Sequence, residues 1–298
     1  MPSEQFEAMV SMLAAAGLGS ATSLADQRTS IDGLGQLLPT AEGTTVTDVD
    51  AHGVSSAWIT PAHADAPVSA VLWLHGGGYN IGSSGSHLPL ASHLAAALGA
   101  PVLVPAYRLA PEHPYPAALD DAHTAWRWLT DQGHAAATMA VGGDSAGGGL
   151  SVALAARLRD GDHPLPGALA LLCPWVDLTG QHPVPEQRVA ADVVLSPTML
   201  NTWAASYADT TTRDHPGVSP LFDRLDGLPP MLIQAGGRDT LLDDAIRLAE
   251  RSTDAGVTIE LQVNDDMIHA WQLFAGAFPE AGASLDDVAT WLRSTLSP

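Results

Sequence analysis

The chain has 298 residues, 46% of them hydrophobic, enough to bury the core of one α/β domain. Its formal net charge of −21 sets up a field that repels phosphate backbones and anionic lipid headgroups, which excludes nucleic acid and membrane surfaces as partners. All 12 basic residues are arginine, so mechanisms built on a P-loop lysine, a Schiff-base lysine or a Ser-Lys dyad are excluded too.

In chain order, residues 1–44 read as one or two amphipathic helices and a loop. Glu4 and Glu7 stand where a signal peptide is basic, and no run approaches the ~20 apolar residues of a spanning helix, so a cytoplasmic, soluble protein is expected. TTVTDVDAH and VSSAWIT lie close together and alternate in polarity, predicting an antiparallel edge pair. VSAVLWLHG, PVLVPAYR, TMAVGGDS, ALALLCPW, PPMLIQAGG and TIELQVND are near-continuously apolar, as strands buried on both faces must be. Only TIELQVND alternates partway, as an edge strand does. Helical stretches fall at 86–98, 116–131, 146–159, 240–255 and 284–296. The alternation spells an α/β fold, a mostly parallel eight-stranded sheet flanked by helices. The single cysteine, Cys173, allows no internal disulfide and reads as a buried small residue.

Residues 176–228 are too long for an ordinary connection. Within them, Ser196 as N-cap and Pro197 at the first helical position start a helix. It carries Met199, Trp203 and Tyr207 four apart on one face, a stripe that reads either as core or as a lid over a pocket.

The chemistry starts at VGGDSAGGGL, 141–150. After a strand and before a helix, Gly143-Asp144-Ser145-Ala146-Gly147 is a GxSxG nucleophile elbow, with glycines where strand and helix approach too closely for side chains. HGGG at 75–78 follows another strand. The bare amides of Gly77 and Gly78, with that of Ala146, fit an oxyanion hole, and His75 is expected to anchor the loop through its ring. Neither glycine-rich turn spells GxGxxG or GxxxxGK[ST], so dinucleotide and NTP binding are excluded. In this fold the order is nucleophile, acid, base, with the last two on loops after late strands. His269 follows the last strand. Asp239 follows the seventh; Asp243 and Asp244, one turn into the next helix, read as helix-capping or loop-supporting. There is no HExxH or paired His/Asp cluster at ligand spacing, so neither metal nor other cofactor is expected.

HGGG, YRLAPEHPYPAALDD, GDSAGG, CPWVDL, GGRDTLLDD and DMIHAW resemble, in order and spacing, the bacterial hormone-sensitive-lipase-like esterases of the α/β-hydrolase superfamily. The resemblance covers about residues 45–298. It implies a serine carboxylesterase for short- to medium-chain esters, with Ser145 as nucleophile, Asp239 as orienting acid and His269 as base. It also implies one α/β-hydrolase domain, 1–298, with a helical cap from about 1–44 plus an insertion within 176–228. That makes Met199, Trp203 and Tyr207, with Tyr79 and Asp144 beside the two glycine-rich turns, expected pocket residues. Where many relatives carry Gly-Phe after the catalytic histidine, Ala270-Trp271 follow here, as in relatives described as ε-lactone or monoterpene-lactone hydrolases. The expected partner is therefore a small-molecule ester or lactone. Plant gibberellin receptors share the fold but have lost the catalytic histidine; the presence of His269 favours catalysis over a binding-only receptor. Homodimerisation through the last strand and C-terminal helix is common in the family and is expected here.

Overall fold

The computed structural model describes residues 2–16, 23–64 and 67–297. Its sheet runs β1-β2-β4-β3-β5-β6-β7-β8. The strands are β1 (Thr44–Ala51), β2 (Val54–Pro61), β3 (Ala70–Leu74), β4 (Val102–Pro105), β5 (Met139–Asp144), β6 (Ala168–Leu172), β7 (Met231–Gly236) and β8 (Ile259–Asn264). β2 is antiparallel to both its neighbours and every other pairing is parallel, which is the expected mostly parallel sheet with its antiparallel edge.

Side chains alternate across a strand with a period of two, and here both faces are buried. On β3, Ala70, Leu72 and Leu74 join one apolar core while Val71 and Trp73 join the other. Helices α3 (Leu88–Leu98) and α9 (Pro279–Thr295) cover the Trp73 face; α4 (Ala117–Asp131), α5 (Ala146–Asp160) and α8 (Leu242–Asp254) cover the opposite one. α9 begins five residues before the stretch read from sequence. Pro279 occupies its first turn, where a missing N–H costs nothing, so PEAGA is helix and not loop. β8, at the open edge, exposes Leu261 and Val263.

Both segments outside the alternation contain two α-helices. The N-terminal one holds α1 (Glu4–Ala16) and α2 (Leu24–Leu37); residues 17–22 between them lie outside the described residues. Ser23 and Asp26 form a capping box at the start of α2. The second segment holds α6 (Glu186–Ala191) and α7 (Pro197–Tyr207). Ser196 caps α7, its side chain accepting from Met199 N, and Pro197 stands in the first turn. α1 is seated by Phe6 edge-on to Phe278, 5.4 Å between centroids, and by Ser3 Oγ donating to Glu280 Oε2 at 2.8 Å. α2 lies backbone against loop: a Cβ on Gly35 would come within 2.5 Å of Ser86 Cα. No helix among the described residues is long and apolar enough to cross a membrane.

Candidate active site

Four loops at the carboxyl ends of parallel strands converge, as open α/β sheets require of their binding crevice. Ser145 sits between β5 and α5 with φ 54° and ψ −122°, a strained conformation for a residue with a side chain. Contacts on both sides hold it there. Its N–H donates to Leu172 O at 2.8 Å, and its carbonyl accepts from Gly148 N and Trp175 N at 3.0 and 2.9 Å. The flanking glycines are obligatory by contact: a Cβ on Gly147 would lie 1.9 Å from Leu74 O, and one on Gly143 2.4 Å from the same oxygen.

Asp239 follows β7 and His269 follows β8. Nδ1 of His269 lies 2.9 Å from Oδ2 of Asp239, with the two side chains 4% and 0% exposed. The other carboxylate oxygen of Asp239 accepts from Leu241 N at 2.8 Å. Burial pushes the His269 pKa down, but the charge and hydrogen bond of Asp239, with Asp192 and Asp144 adding to them, outweigh it, and the net shift is upward. Cys173 is buried as expected, and its Sγ accepts from Ala270 N at 3.3 Å. Among the described residues, the donor atoms of Cys173, Asp239 and His269 alone cluster closely enough for a metal, all within 4.8 Å of one another. In this geometry the ring and the carboxylate are bonded to each other.

The HGGG loop bends after β3 through Gly77 and Gly78, at φ 108° and 60°. His75 anchors it as expected. Its Nδ1 is 2.8 Å from Gly76 O, its ring stacks on Tyr107 at 4.1 Å, and burial, with the charge of His87, depresses its pKa to about 3. It therefore stays neutral and is not the base. Asp144 packs beneath this loop. Trp73 Nε1 donates to its Oδ1 at 3.2 Å, and His87 Nε2 lies 3.2 Å from its Oδ2. Burial raises the Asp144 pKa, but His87 above all, with the hydrogen bond from Trp73, outweighs it, and the net shift is downward.

A cavity of about 90 Å³ opens onto these groups. Ser145, His269, Gly77, Asp144 and His87 form its polar side; Leu13, Ile31, Leu34, Ile81, Val194, Leu195, Trp203, Leu273 and Phe274 form most of the rest. Of the five pocket residues read from sequence, Trp203 and Asp144 line this cavity. Tyr79, Met199 and Tyr207 do not. Tyr207 stacks on Tyr79 at 3.8 Å, both nearly fully buried, and Met199 packs against the same core. The cause is helical geometry. At 100° per residue, positions four apart drift by ~40° each step, so Trp203 faces the cavity while Tyr207 has turned past it.

Sequence reading missed three polar residues. His87 carries no local motif. Asn80 lies two residues beyond the HGGG motif. Asp192 follows α6, and its carboxylate accepts from Thr240 N at 2.7 Å and from Val194 N and Leu195 N, reaching the residue next to Asp239. Asp243 and Asp244 do support the structure: Asp244 Oδ2 accepts from Val176 N and Asp177 N, and Asp243 pairs with Arg188.

A family model described as the alpha/beta hydrolase fold matches residues 71–273. An acetyl-hydrolase of Streptomyces hygroscopicus is 38% identical over 80% of this chain and 79% of its own length. An esterase of Acinetobacter venetianus is 36% identical over 75% and 74%. Among solved structures, an esterase of the bacterial hormone-sensitive lipase family superposes over the whole of both chains with a TM-score of 0.94 at 36% identity. The chain belongs to that family, within the α/β hydrolases. It is a carboxylic ester hydrolase, and the binding-only alternative is set aside.

Proposed function

We propose that hydrolysis runs through an acyl-enzyme on Ser145. Ser145 Oγ attacks the ester carbonyl as His269 Nε2 takes its proton, while Nδ1–H stays bonded to Asp239, which fixes the tautomer and stabilises the imidazolium. The oxyanion is received by the amides of Gly77, Gly78 and Ala146, none of which is used in a backbone hydrogen bond among the described residues. Each such donor is worth roughly 3–4 kcal/mol in the transition state. His269 then protonates the leaving alcohol, and water releases the acid by the reverse sequence. The observation that carries this reading is the 2.9 Å His269–Asp239 pair, whose histidine stands in the cavity wall that also holds Ser145 and Gly77.

The segment 1–44 and the insertion within 176–228 act as a cap over one α/β-hydrolase domain: Leu13, Ile31 and Leu34 come from the first, and Val194, Leu195 and Trp203 from the second. A small cavity under an apolar cap favours short- to medium-chain acyl groups, in keeping with the acetyl-hydrolase name of a relative. The enzyme works in the cytoplasm, without a cofactor and with neither nucleic acid nor membrane as partner, and pairs as a homodimer through β8, where Leu261 and Val263 are exposed, and the C-terminal helix α9.

The test is steady-state hydrolysis of p-nitrophenyl esters from acetate to palmitate, beside ε-caprolactone, by wild type and Ser145→Ala. The expected result is a short-chain optimum and a kcat lower by about 10⁶ for the variant. Near-normal turnover by Ser145→Ala overturns the acyl-enzyme, and a much higher kcat/KM for the lactone replaces esters with lactones as the substrate class.

A further inference from the structure

The orientation of the oxyanion loop depends on which way two successive peptide planes face. Gly77 O accepts from Asn80 N at 3.0 Å and from Ile81 N at 2.9 Å. Because the C=O and N–H of a trans peptide point in opposite directions, these bonds turn the Gly78 amide away from the body of the loop. The next plane is held by a side chain: Asn80 Nδ2 donates to Gly78 O at 2.7 Å. Gly78 and Tyr79 both have positive φ, 60° and 63°, a conformation open to glycine but one that a tyrosine keeps only where its surroundings enforce it.

Asn80 does more than close this turn. Nδ2 also reaches Trp203 O in α7 at 3.2 Å, Ser206 Oγ, one turn further along α7, donates to Asn80 Oδ1, and Arg28 of α2 donates through Nε to Asn80 O at 2.8 Å. Arg28 Nη2 bonds Ala110 O and Glu112 as well. Asn80 is 2% exposed, and both sides of its amide are satisfied by partners on two different elements. Only a short side chain with two donors and an acceptor meets that demand. Directly above, the Trp203 ring is packed so closely that a Cβ on Gly78 would come within 2.2 Å of it.

We propose that Asn80 is a positioning residue for ester hydrolysis: it sets the oxyanion loop through Gly78 and ties that setting to the seating of α2 and α7. The oxyanion donors then come into register when both helices are docked. The proposal rests on the oxyanion reading above, and its failure is separable from the failure of that reading, which a still-active Ser145→Ala enzyme would reveal.

The experiment measures kcat and KM for p-nitrophenyl butyrate, and inhibition by a trifluoromethyl ketone whose serine adduct places an oxyanion in the hole. The variants are Asn80→Ala, Asn80→Asp, Ser206→Ala and Arg28→Gln. Displacing one donor set by under an ångström is expected to cost roughly 10–100-fold in kcat for Asn80→Ala, with KM within about threefold and ketone affinity weakened by the same factor as kcat. Asn80→Asp, the same shape but unable to donate to Gly78 O, should do no better. Ser206→Ala and Arg28→Gln should each lose about threefold, and neither should add to the loss in Asn80→Ala, as members of one network do not add. A kcat within about twofold of wild type for both Asn80 variants overturns the proposal. So does a kcat loss without matching loss of ketone affinity, or full additivity with Ser206→Ala and Arg28→Gln. Should Asn80→Ala fail to fold, the near-isosteric Asn80→Asp carries the same readouts.

Discussion

The two sides of the cavity are made of different material. The strand-end side is backbone and buried charge: Ser145 at φ 54°, the His269–Asp239 pair at 2.9 Å, and Asp144 wedged under Gly76, where a Cβ would lie 2.2 Å from its Oδ2. The cap side is apolar side chain on helices, with Leu13, Leu34, Val194 and Trp203 supplying shape. The first side is held by specific hydrogen bonds and close backbone contacts. The second is fixed mainly by packing, which tolerates exchange of similar volumes. Chemistry should therefore fail sharply when the first side is altered, while selectivity should shift gradually with the second.

The largest expected break is at Asp239. Asp239→Asn keeps the shape but presents an amide to Nδ1, which favours the wrong histidine tautomer and removes the charge that stabilises the imidazolium. A kcat loss of about 10⁴ is expected, with the thermal midpoint close to that of wild type. A loss under about tenfold would move the acid role to another residue, Asp192 being the nearest alternative that also acts on His269.

The cap side is tested by Trp203→Ala. If Trp203 bounds the acyl site, removing its ring should raise the ratio of kcat/KM for octanoate over acetate by about tenfold, the scale on which hydrophobic pockets discriminate one or two methylenes. If it is only packing, the variant should lose stability, about 3–5 kcal/mol for a buried tryptophan, with that ratio unmoved. Chemical denaturation and the ester series together separate the two outcomes.

The same division explains what could be read from the sequence. The elbow and HGGG loop were legible because close backbone approach demands glycine at fixed spacing, and such demands are written locally: Gly143 and Gly147 both abut Leu74 O. The succession of strands along the chain, and Asp239 and His269 after the seventh and eighth, followed from apolar runs and strand-end placement, whereas the place of β4 between β2 and β3 in the sheet did not. The cap was legible as helices but not as surfaces. The Met199, Trp203 and Tyr207 stripe fixed a helix face, yet which of its residues meets the cavity depends on a rotation set by Tyr79 on the far side of a fold. Asn80, His87 and Asp192 were missed for a related reason. The partners that tie them into the site are distant in sequence, 52 residues between Asn80 and Arg28, 57 between His87 and Asp144 and 48 between Asp192 and Thr240, so no local pattern announces that role.

Asp192 is where the two sides meet, and it gives the smallest effect. It belongs to the insertion, but its carboxylate holds the Thr240 amide beside Asp239 and helps raise the His269 pKa. His269 must be neutral to accept the Ser145 proton, so a raised pKa removes base as pH falls, and the acid limb of kcat/KM should lie above the ordinary histidine value of about 6.5. Asp192→Asn deletes one of the charges that favour the imidazolium. The acid limb should then move to lower pH, so that activity at pH 6 relative to pH 8 rises, even if the plateau falls because Thr240 loses an acceptor. A limb that stays in place, or moves to higher pH, would confine Asp192 to fastening the insertion onto the acid loop and leave the electrostatics of the base to the strand-end side alone.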